Sequence, residues 1–454
     1  MAARVFIGAG AGFAGDRSDA AGPVVDALAA ADGPRFLIYE TLAERTLALC
    51  QIERRKDPAR GYSPALERML TPVLARCLAN GIKVVGNFGA ANPPAAARRI
   101  GELARSLGLR APRIAVVEGD DLSGLLSAAE FAAREIDGTM LAQARDIISA
   151  NLYLGAEPIA QALDQGADIV VTGRVADSAL ALGPLLHAFR WRADDWDRLA
   201  AGTLAGHLLE CAAQITGGYF ADPGYKDVPN LAEVGYPIAE VDADSGMTIT
   251  KPAGTGGVVN RLTVTEQLLY EIHDPSAYLA PDVVLDLGAV EVAEIGKDRV
   301  RVTGARGKPA PDTLKATVCV DGGVLGEAEI SYAGPNATAR AQLAADIIIE
   351  RLRQRAPALT VRVDAIGATS ILGSSGRPLD LRAAANDIRL RFAAQSADAA
   401  QVAMLLDEVE ALYCAGPAGG AGVRRHLTPR LASASCLIER RYATPRVTMI
   451  EGTA

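Results

Sequence analysis

The sequence predicts an α/β fold in which an N-terminal, mostly parallel sheet with helices on both faces precedes an α+β region with a mostly antiparallel sheet. Before residue 225, short apolar runs alternate with helical segments, which is the pattern of parallel strands joined by crossover helices. After that residue, segments with a period of two residues predominate, and long helices follow them. We therefore predict two domains, residues 1–225 and 226–454.

Five predicted strands alternate with helices in the first domain. They are RVFIG (4–8), FLIY (36–39), KVVGNFG (83–89), RIAVVEGDDL (113–122) and DIVVTGR (168–174). In parallel α/β sheets, ligands bind beyond the carboxyl ends of the strands, so the loops that follow these segments are the predicted ligand site. The polar residues that we select from these loops are Asp16, Arg17, Glu44, Asn87, Asn92, Arg174 and Asp177.

The second domain starts with a loop-rich stretch, residues 221–246, which we interpret as a linker or lid. Beyond it, period-2 segments predict strands, and two segments with helical spacing predict long helices. The predicted strands are 282–295, 298–307, 313–322, 327–334, 359–367 and 387–396, and the helices are 336–356 and 398–416. Their order indicates a mostly antiparallel sheet backed by helices.

Composition excludes several classes of partner. The 46 Lys and Arg residues against 54 Asp and Glu residues give a formal net charge of -8, whereas a nucleic-acid-binding protein needs a basic surface. No segment reaches the roughly 18 uninterrupted apolar residues of a membrane-spanning helix, and the N-terminus lacks the pattern of a signal peptide. The six cysteines are scattered, without a CxxC pair. We therefore expect a cytoplasmic protein that binds neither nucleic acid nor membrane.

The segment GAGAGFAGDR, residues 8–17, follows the first strand and contains a G-x-G-x-x-G pattern at Gly10, Gly12 and Gly15. Glu40 closes the next strand, as the ribose-binding acid does in a dinucleotide-binding fold. In such a fold, the pyrophosphate lies on the N-terminus of the following helix. The pattern therefore raises the question of NAD(P) binding.

Asp16 and Arg17 stand between these glycines and the helix. A pyrophosphate there would meet the negative charge of Asp16, so we disfavour NAD(P) as a cofactor. We interpret the loop instead as one wall of a cleft for a carboxylate or thioester, with Gly10 and Gly12 letting the substrate approach the backbone. A structural strand–helix turn is the alternative.

The segment GHLLECAAQITGG, residues 206–218, is predicted to be a helix. His207, Glu210, Cys211 and Gln214 then lie at positions i, i+3, i+4 and i+7, on one face. Imidazole and carboxylate are suited to acid–base catalysis or to binding a divalent metal, and a thiol beside histidine is suited to nucleophilic catalysis. A buried polar face with internal hydrogen bonds is the alternative.

The segment KPAGTGGVVNRLT, residues 251–263, is a second glycine-rich loop. Backbone N–H groups near Gly256 and Gly257, together with Lys251 and Thr255, form a predicted cradle for a carboxylate or a coenzyme A phosphate. Lys251 precedes the glycines, whereas the lysine of a P-loop follows them, so this loop is not a nucleotide-binding P-loop. A turn without a ligand is the alternative.

A set of stretches in a fixed order carries a resemblance to a known family. They are GAGAGFAGDR, YETLAERT, GNFGAANPP, VTGRVADSALALGP, GHLLECAAQITGGYF, GYPIAEV, TKPAGTGGVV, TEQLLYEIHDPSAYLAPDV and GPAGGAGV. Over most of its length the chain resembles the acyclic terpene utilisation (AtuA-like) family. The resemblance implies a role in degrading branched or terpenoid acids, as carboxylic acids or coenzyme A thioesters.

The same resemblance implies a partner. Many members of the family carry an additional small C-terminal domain of roughly 100 residues, a common domain size. We expect this chain to end before that domain, so that a separate small subunit supplies it.

These observations predict a catabolic enzyme that acts on an unsaturated or branched carboxylic acid or its coenzyme A thioester. We favour a lyase that adds or removes water, with His207 and Glu210 as acid and base and Asp16 or Asp177 as the next candidates. Arginine and lysine are the usual partners of carboxylates and phosphates. The side chains that we assign to the negative charge of the substrate are Arg17, Arg174 and Lys251.

Three alternatives remain open from the residues alone. One is a hydrolase or carbon–carbon lyase that uses Cys211 or a divalent metal. The second is a non-catalytic subunit of a degradation complex, and the third is a nicotinamide-dependent oxidoreductase. The residues prescribe no cofactor. We expect a homo-oligomer that binds a small carboxylic acid or its thioester.

Overall fold

The structure is a computed structural model that describes residues 3–136, 138–144, 146–366 and 386–450. Its strands, in chain order, are β1 (Arg4–Ala11), β2 (Arg35–Tyr39), β3 (Lys83–Gly86), β4 (Ile114–Glu118), β5 (Ile147–Leu152), β6 (Ile169–Thr172), β7 (Ile238–Asp242), β8 (Met247–Thr250), β9 (Tyr278–Leu279), β10 (Val284–Asp286), β11 (Glu291–Gly296), β12 (Arg299–Thr303), β13 (Arg306–Lys308), β14 (Thr313–Ala333), β15 (Arg362–Ile366), β16 (Asp387–Ser396), β17 (Ala421–Glu439) and β18 (Arg446–Ile450).

The α-helices and 3-10 helices connect these strands. The α-helices are α1 (Ala21–Ala29), α2 (Glu44–Lys56), α3 (Leu66–Leu70), α4 (Leu74–Ala79), α5 (Pro93–Ser106), α6 (Ala128–Ala132), α7 (Glu157–Asp164), α8 (Ala179–Phe189), α9 (Trp196–Glu210), α10 (Arg261–Leu269), α11 (Ala337–Arg355) and α12 (Ala399–Ala415). The 3-10 helices are Leu141–Gln143, Ala212–Thr216, Leu231–Glu233 and Arg440–Tyr442. Within the described part of the chain, none of these helices combines the length and the apolar character needed to cross a membrane.

The chain divides into two compact units. Unit 1 consists of Met1–Cys319 with Ser433–Ala454, and unit 2 consists of Val320–Ala432. This division differs from the boundary predicted at residue 225, because strands that follow that residue pair within the sheet of unit 1. Long-range pairing of this kind leaves no trace in local composition.

Unit 1 contains a ten-stranded sheet in the order β11-β12-β8-β7-β1-β2-β3-β6-β4-β18. The five central strands, β1, β2, β3, β6 and β4, are parallel, and all residues of β6 are buried. Successive side chains of a strand point to opposite faces, so a continuous buried run means that both faces of the sheet are covered. The predicted α/β fold class is therefore confirmed.

Antiparallel strands extend this sheet at both edges. β7 pairs with β1, with Ala239 opposite Ile7, and β18 pairs with β4 at the other edge. β7 lies within the stretch 221–246, so the prediction of a linker or lid is wrong for residues 238–242. The many glycines and prolines around this short strand hid its apolar residues, of which Ile238, Ala239 and Val241 are buried.

Unit 2 is an antiparallel sheet covered by two helices. β16 lies between β15 and β14, with Leu390 opposite Ile330. These side chains pack with Ile348 of α11 and Leu405 of α12 in one apolar cluster. The predicted α+β character of this region is therefore confirmed. Gly367, the last residue of the predicted strand 359–367, lies outside the described residues.

Candidate active site

A cleft with a volume of about 850 Å³ lies in unit 1 at the carboxyl edge of the parallel strands. Gly12 follows β1, Glu40 follows β2, and Arg174 follows β6, and all three line the cleft. The carboxyl ends of neighbouring parallel strands meet at one edge, which is why loops distant in sequence converge here. The predicted position of the ligand site relative to the sheet therefore coincides with a cleft.

The glycine-rich loop after β1 encloses a carboxylate of the protein itself. Asp16 accepts hydrogen bonds from the backbone N–H groups of Gly12 and Arg17, each at 2.8 Å, and from the Tyr236 hydroxyl. Backbone N–H groups in such a turn are the donors that bind a phosphate in nucleotide-binding loops. Here they are occupied by Asp16, which lines the cleft.

Gly10 and Gly12 are required by packing. A Cβ atom at Gly10 would lie 2.6 Å from the Tyr39 ring, and one at Gly12 would lie 2.6 Å from the backbone carbonyl carbon of Cys211. Only Gly12 lines the cleft. The two glycines therefore let the first strand approach β2 and the end of α9, which sequence analysis did not anticipate.

The helix predicted over residues 206–218 is interrupted. α9 ends at Glu210, Ala212 takes a left-handed φ of 43°, and residues 212–216 form a 3-10 helix. The prediction of one continuous helix face is therefore wrong. The four side chains that it selected, His207, Glu210, Cys211 and Gln214, nevertheless all line the cleft.

His207 and Glu210 form a buried pair. Nδ1 of His207 lies 2.9 Å from Oε1 of Glu210, and the His207 side chain is 1% exposed. Nε2 of His207 is buried and has no hydrogen-bond partner among the described residues. Burial disfavours the charged imidazolium, but the attraction of the Glu210 carboxylate outweighs it and raises the pKa of His207. The pair therefore has the form of an oriented base, on a histidine that lines the cleft.

Arg174 is the buried cation of the cleft. Its guanidinium donates to the carbonyl oxygens of Leu42 and Val175, the latter at 2.8 Å from Nε, and to Asp177. It also lies 4.5 Å above the centre of the Tyr153 ring. Because these groups occupy its donors, Arg174 acts on the cleft through its charge and not as an open clamp for a carboxylate.

Glu40 receives both of its hydrogen bonds on one oxygen. Oε1 accepts from the backbone N–H of Leu42 at 2.7 Å and from Nδ2 of Asn87 at 2.9 Å. The backbone N–H of Thr41 donates to Oδ1 of Asn87 at 2.7 Å, which fixes the orientation of that amide. Burial, followed by repulsion from Asp177, raises the pKa of Glu40 to about 8.

A second polar group of the cleft surrounds Tyr153. The Tyr153 hydroxyl donates to Oε1 of Glu44 at 2.6 Å, and Nζ of Lys315 lies 3.4 Å from the same oxygen. Burial opposes ionisation of Glu44, but the hydrogen bond from Tyr153 and the nearby cations lower its pKa. Lys315 is 45% exposed and is thus a cation that an anionic part of a ligand can reach.

Exposed apolar side chains form the mouth of the cleft. Phe13, Ile136, Tyr219, Leu279 and Leu437 all line it, with exposed fractions between 41% for Leu437 and 86% for Tyr219. Tyr219 also has a left-handed φ of 59°. Such a backbone costs of order 1–3 kcal/mol and is concentrated at functional sites. We call these five residues the apolar rim.

Two predicted site residues support other elements. Asn92 accepts a hydrogen bond from the backbone N–H of Ala95 as the N-cap of α5, and it does not line the cleft. Arg17 points to Asp19, at 2.9 Å, and also does not line the cleft. Asn87 lies behind Glu40 and acts on the cleft through it.

The second glycine-rich loop lies at a different cavity. Lys251 and Thr255 line a space of about 610 Å³ that shares no residue with the cleft. Nζ of Lys251 donates to the carbonyl oxygen of Thr255 at 2.9 Å and lies 3.5 Å from Asp298. A Cβ atom at Gly256 or Gly257 would lie within 2.5 Å of a carbonyl oxygen, so these glycines serve chain packing.

Sequence analysis missed several residues of the cleft. Tyr153, Glu271, His273, Tyr278 and Lys315 line it. They lie outside the loops that follow the parallel strands, so the rule that selected those loops did not select them. In residues 3–136, 138–144, 146–366 and 386–450, no group of three or more His, Cys, Asp or Glu side chains is arranged to hold a metal ion.

Comparison with known protein families gives a match over nearly the whole chain. A family model described as acyclic terpene utilisation family protein AtuA matches residues 5–449. The matched range includes every residue that lines the cleft. Among curated proteins, none matches the chain.

Proposed function

Because the chain belongs to the acyclic terpene utilisation family, we propose that it is a hydratase or dehydratase acting on an unsaturated or branched carboxylic acid or its coenzyme A thioester. Utilisation of acyclic terpenes is a catabolic role. Adding water to a double bond conjugated with a carbonyl group is a common step in degrading such chains. It requires a base and an acid in a cleft with an apolar wall.

The unpartnered Nε2 of His207 carries this proposal. Its other ring nitrogen faces Glu210, which favours the tautomer with the proton on Nδ1 and leaves the lone pair of Nε2 free. A buried nitrogen without a partner costs free energy, which is offset when a substrate or water fills the cleft. General acid–base catalysis by such a histidine contributes roughly 10²–10⁴-fold in rate.

The proposed step uses this one base. In the hydration direction, Nε2 of His207 accepts a proton from water, and the water oxygen forms a bond to the β carbon. The π electrons of the double bond move toward the carbonyl oxygen. The imidazolium then returns its proton to the α carbon, so that H and OH are added and histidine is regenerated. Glu210 stabilises the imidazolium in between.

The lining of the cleft favours a thioester over a free carboxylate. Its described carboxyl side chains are Asp16, Glu40, Glu44, Asp177, Glu210 and Glu271, and its Lys and Arg side chains are Lys315 and Arg174. An excess of carboxyl groups repels a free carboxylate near the reacting atoms, whereas the reacting end of a thioester is neutral. The apolar rim suits a branched hydrocarbon chain.

A role for Cys211 as nucleophile is less well supported. Burial, followed by repulsion from Glu210, raises the pKa of the Cys211 thiol. A nucleophilic cysteine needs the thiolate, which a cationic neighbourhood stabilises. Cys211→Ser is therefore expected to keep most of the activity, and its loss would support the hydrolase or carbon–carbon lyase alternative.

The test is an assay with labelled water. The purified protein is incubated with α,β-unsaturated and β-hydroxy acyl compounds, straight and branched, as free acids and as coenzyme A thioesters. Incorporation of heavy oxygen at the β carbon is measured by mass spectrometry. We expect incorporation with branched thioesters, and His207→Asn should lower kcat by roughly 10²–10⁴-fold.

The chain offers a matched control. His187 also faces a carboxylate, with Nδ1 2.5 Å from Asp164, but it is partly exposed and lies outside the cleft. His187→Asn should leave kcat unchanged. If the wild-type protein leaves every compound of the panel untouched, the proposal is wrong and the role of a non-catalytic subunit gains support.

A further inference from the structure

Glu40 has one oxygen held by the protein and one left for a ligand. The backbone N–H of Leu42 and Nδ2 of Asn87 both donate to Oε1. In the described residues, no group donates a hydrogen bond to Oε2, and Glu40, which is 8% exposed, lines the cleft. The two oxygens of this carboxyl group are therefore chemically distinct.

From this asymmetry we propose that Glu40 is a neutral carboxylic acid whose Oε2–H donates a hydrogen bond to the carbonyl oxygen of the substrate. The inference rests on the proposed function, because it assigns the group that stabilises the carbonyl oxygen while His207 moves the proton. It makes Glu40 a catalytic residue and Asn87 its positioning residue.

The hydrogen bonds determine where the proton lies. An oxygen that accepts two N–H donors behaves as the carbonyl oxygen of the acid, so the hydroxyl proton is on the other oxygen. Leu42 and Asn87 contribute neutral donors only. A carboxylate with two charged donors would instead be held ionised.

The charges around Glu40 favour the neutral form on balance. The negative charge of Asp177 raises the pKa of Glu40, and the positive charge of Arg174 lowers it. The neighbouring Cys211 thiol is neutral, because its own pKa is raised. Asp177 pairs directly with Arg174, which reduces the field of that cation at Glu40. Burial is the largest influence and raises the pKa of Glu40 to about 8, so the acid form predominates near neutral pH.

The chemistry requires no further reactant. When the water oxygen adds to the β carbon, negative charge develops on the carbonyl oxygen as an enolate. The hydrogen bond from Oε2–H stabilises that charge without transferring the proton. When the α carbon accepts the proton from His207, the carbonyl group reforms and Glu40 is unchanged. A carboxylic acid held neutral at pH 7 is known to serve as such a donor.

Substitutions of Glu40 distinguish a role as hydrogen-bond donor from a role as ionised base. In Glu40→Gln, the amide oxygen accepts the same two hydrogen bonds and the NH₂ group takes the place of Oε2–H. We expect kcat to fall by less than about tenfold, whereas Glu40→Leu, which lacks any donor, should lower it by roughly 10²–10³-fold. An equal loss of activity in both variants would mean that Glu40 acts as an ionised base and would overturn the inference.

The pH profile gives a second readout. Wild-type kcat/KM should fall at alkaline pH as Glu40 ionises with a pKa of about 8, and this limb should be absent in Glu40→Gln. The hydrogen bond from Asn87 lowers the pKa of Glu40. In Asn87→Leu the limb should therefore move to higher pH, while the rate falls because the acid is less well oriented. An alkaline limb unchanged in Glu40→Gln contradicts the inference, even where the His207 variant confirms the proposed function.

Infrared spectroscopy tests Glu40 without catalysis. At pH 7 the wild-type protein should show the C=O stretch of a protonated carboxyl group that is absent in Glu40→Gln, and a saturated branched acyl coenzyme A should shift it. Glu408→Gln is the control, because Arg351 holds the pKa of that buried carboxyl low. A missing band, or a band that the thioester does not shift, overturns the inference whether or not the protein proves to be a hydratase.

Discussion

Glu40 in unit 1 and Glu408 in unit 2 are both buried glutamates, with exposed fractions of 8% and 3%. Arg351 and Arg355 donate to both oxygens of Glu408. Glu40 instead receives two neutral donors on one oxygen. The hydrogen bonds from Arg351 lower the pKa of Glu408, whereas burial raises the pKa of Glu40 to about 8.

The difference shows that the number of charged hydrogen-bond partners decides whether a buried carboxyl group serves stability or is available to a ligand. Glu408 of α12 is ionised, and both of its oxygens accept hydrogen bonds from arginines of α11, so it contributes to stability and not to ligand binding. Glu40 is incompletely paired in a cleft, which costs stability and leaves an oxygen for chemistry. Functional sites are commonly the less stable parts of a protein for this reason.

The largest expected effect concerns the cations of the two regions. Arg174→Met should lower the free energy of unfolding by about 3–5 kcal/mol, because it leaves the carbonyl oxygens of Leu42 and Val175 and the carboxylate of Asp177 without their donor. Arg351→Met should cost about 1 kcal/mol or less, since Arg351 is 48% exposed and Arg355 still pairs with Glu408. Urea unfolding at pH 7 measures both. Equal losses of unfolding free energy in the two variants would contradict the expectation that Arg174 contributes more to stability than Arg351.

Glu40→Gln should stabilise the protein increasingly as pH rises. The pKa of Glu40 is raised in the folded state, so its contribution to stability is fully present below the pKa of the unfolded chain and is lost as pH rises toward 8. Glutamine does not ionise, so the variant does not lose free energy of unfolding in this way as pH rises. The free energy of unfolding of the variant should therefore exceed that of wild type. The difference should grow between pH 5 and pH 8, to on the order of 4 kcal/mol at its largest. Thermal or urea unfolding between pH 5 and pH 8 measures this difference. A difference that stays constant over the range would contradict the prediction.

Glu408→Gln should have the opposite sign. The pKa of Glu408 is lowered in the folded state, so its contribution is present above the pKa of the unfolded chain and is lost as pH falls through the folded value. The variant should lose about 1–3 kcal/mol at neutral pH and little at strongly acidic pH. The same unfolding series as for Glu40→Gln provides the comparison. A loss that persists at acid pH would show that packing, not charge, holds this residue.

A smaller effect than at Glu408 is expected at Asn92. Its side chain caps α5 and donates to the carbonyl oxygens of Pro58 and Arg60, at 2.9 and 2.6 Å. Asn92→Ala should lower the free energy of unfolding by about 1 kcal/mol and leave kcat unchanged. Asn87→Leu, by contrast, should alter the pH profile. A change of profile in Asn92→Ala would place that residue in the site after all.

Prediction from sequence was accurate where local patterns suffice. Alternating apolar runs and helical segments identified the five parallel strands of unit 1, because a buried strand is apolar throughout. The same patterns missed β7 and did not assign β11 and β12 to the sheet of unit 1. Which sheet a strand joins depends on partners far away in the chain, and composition carries no record of them.

The residues of the cleft show the same limit of sequence-based prediction, because their partners also come from distant parts of the chain. His207 and Glu210 were selected together because they lie at positions i and i+3, and α9 carries both of them before it ends at Glu210. Lys251 and Arg17 were selected on residue type, and tertiary packing placed their charges against Asp298 and Asp19. Glu40 was noted only as the acid that closes the second strand, where a dinucleotide-binding fold has its ribose-binding acid.

The sequence by itself determined the fold class and the edge of the sheet at which a ligand site forms, because strand direction follows from the alternation of strands and helices. The tertiary structure decided which polar groups remain unpaired at that edge. Burial and pairing depend on every neighbouring chain segment. No described residue pairs with Nε2 of His207 or with Oε2 of Glu40, and this is therefore a property of the fold and not of any motif.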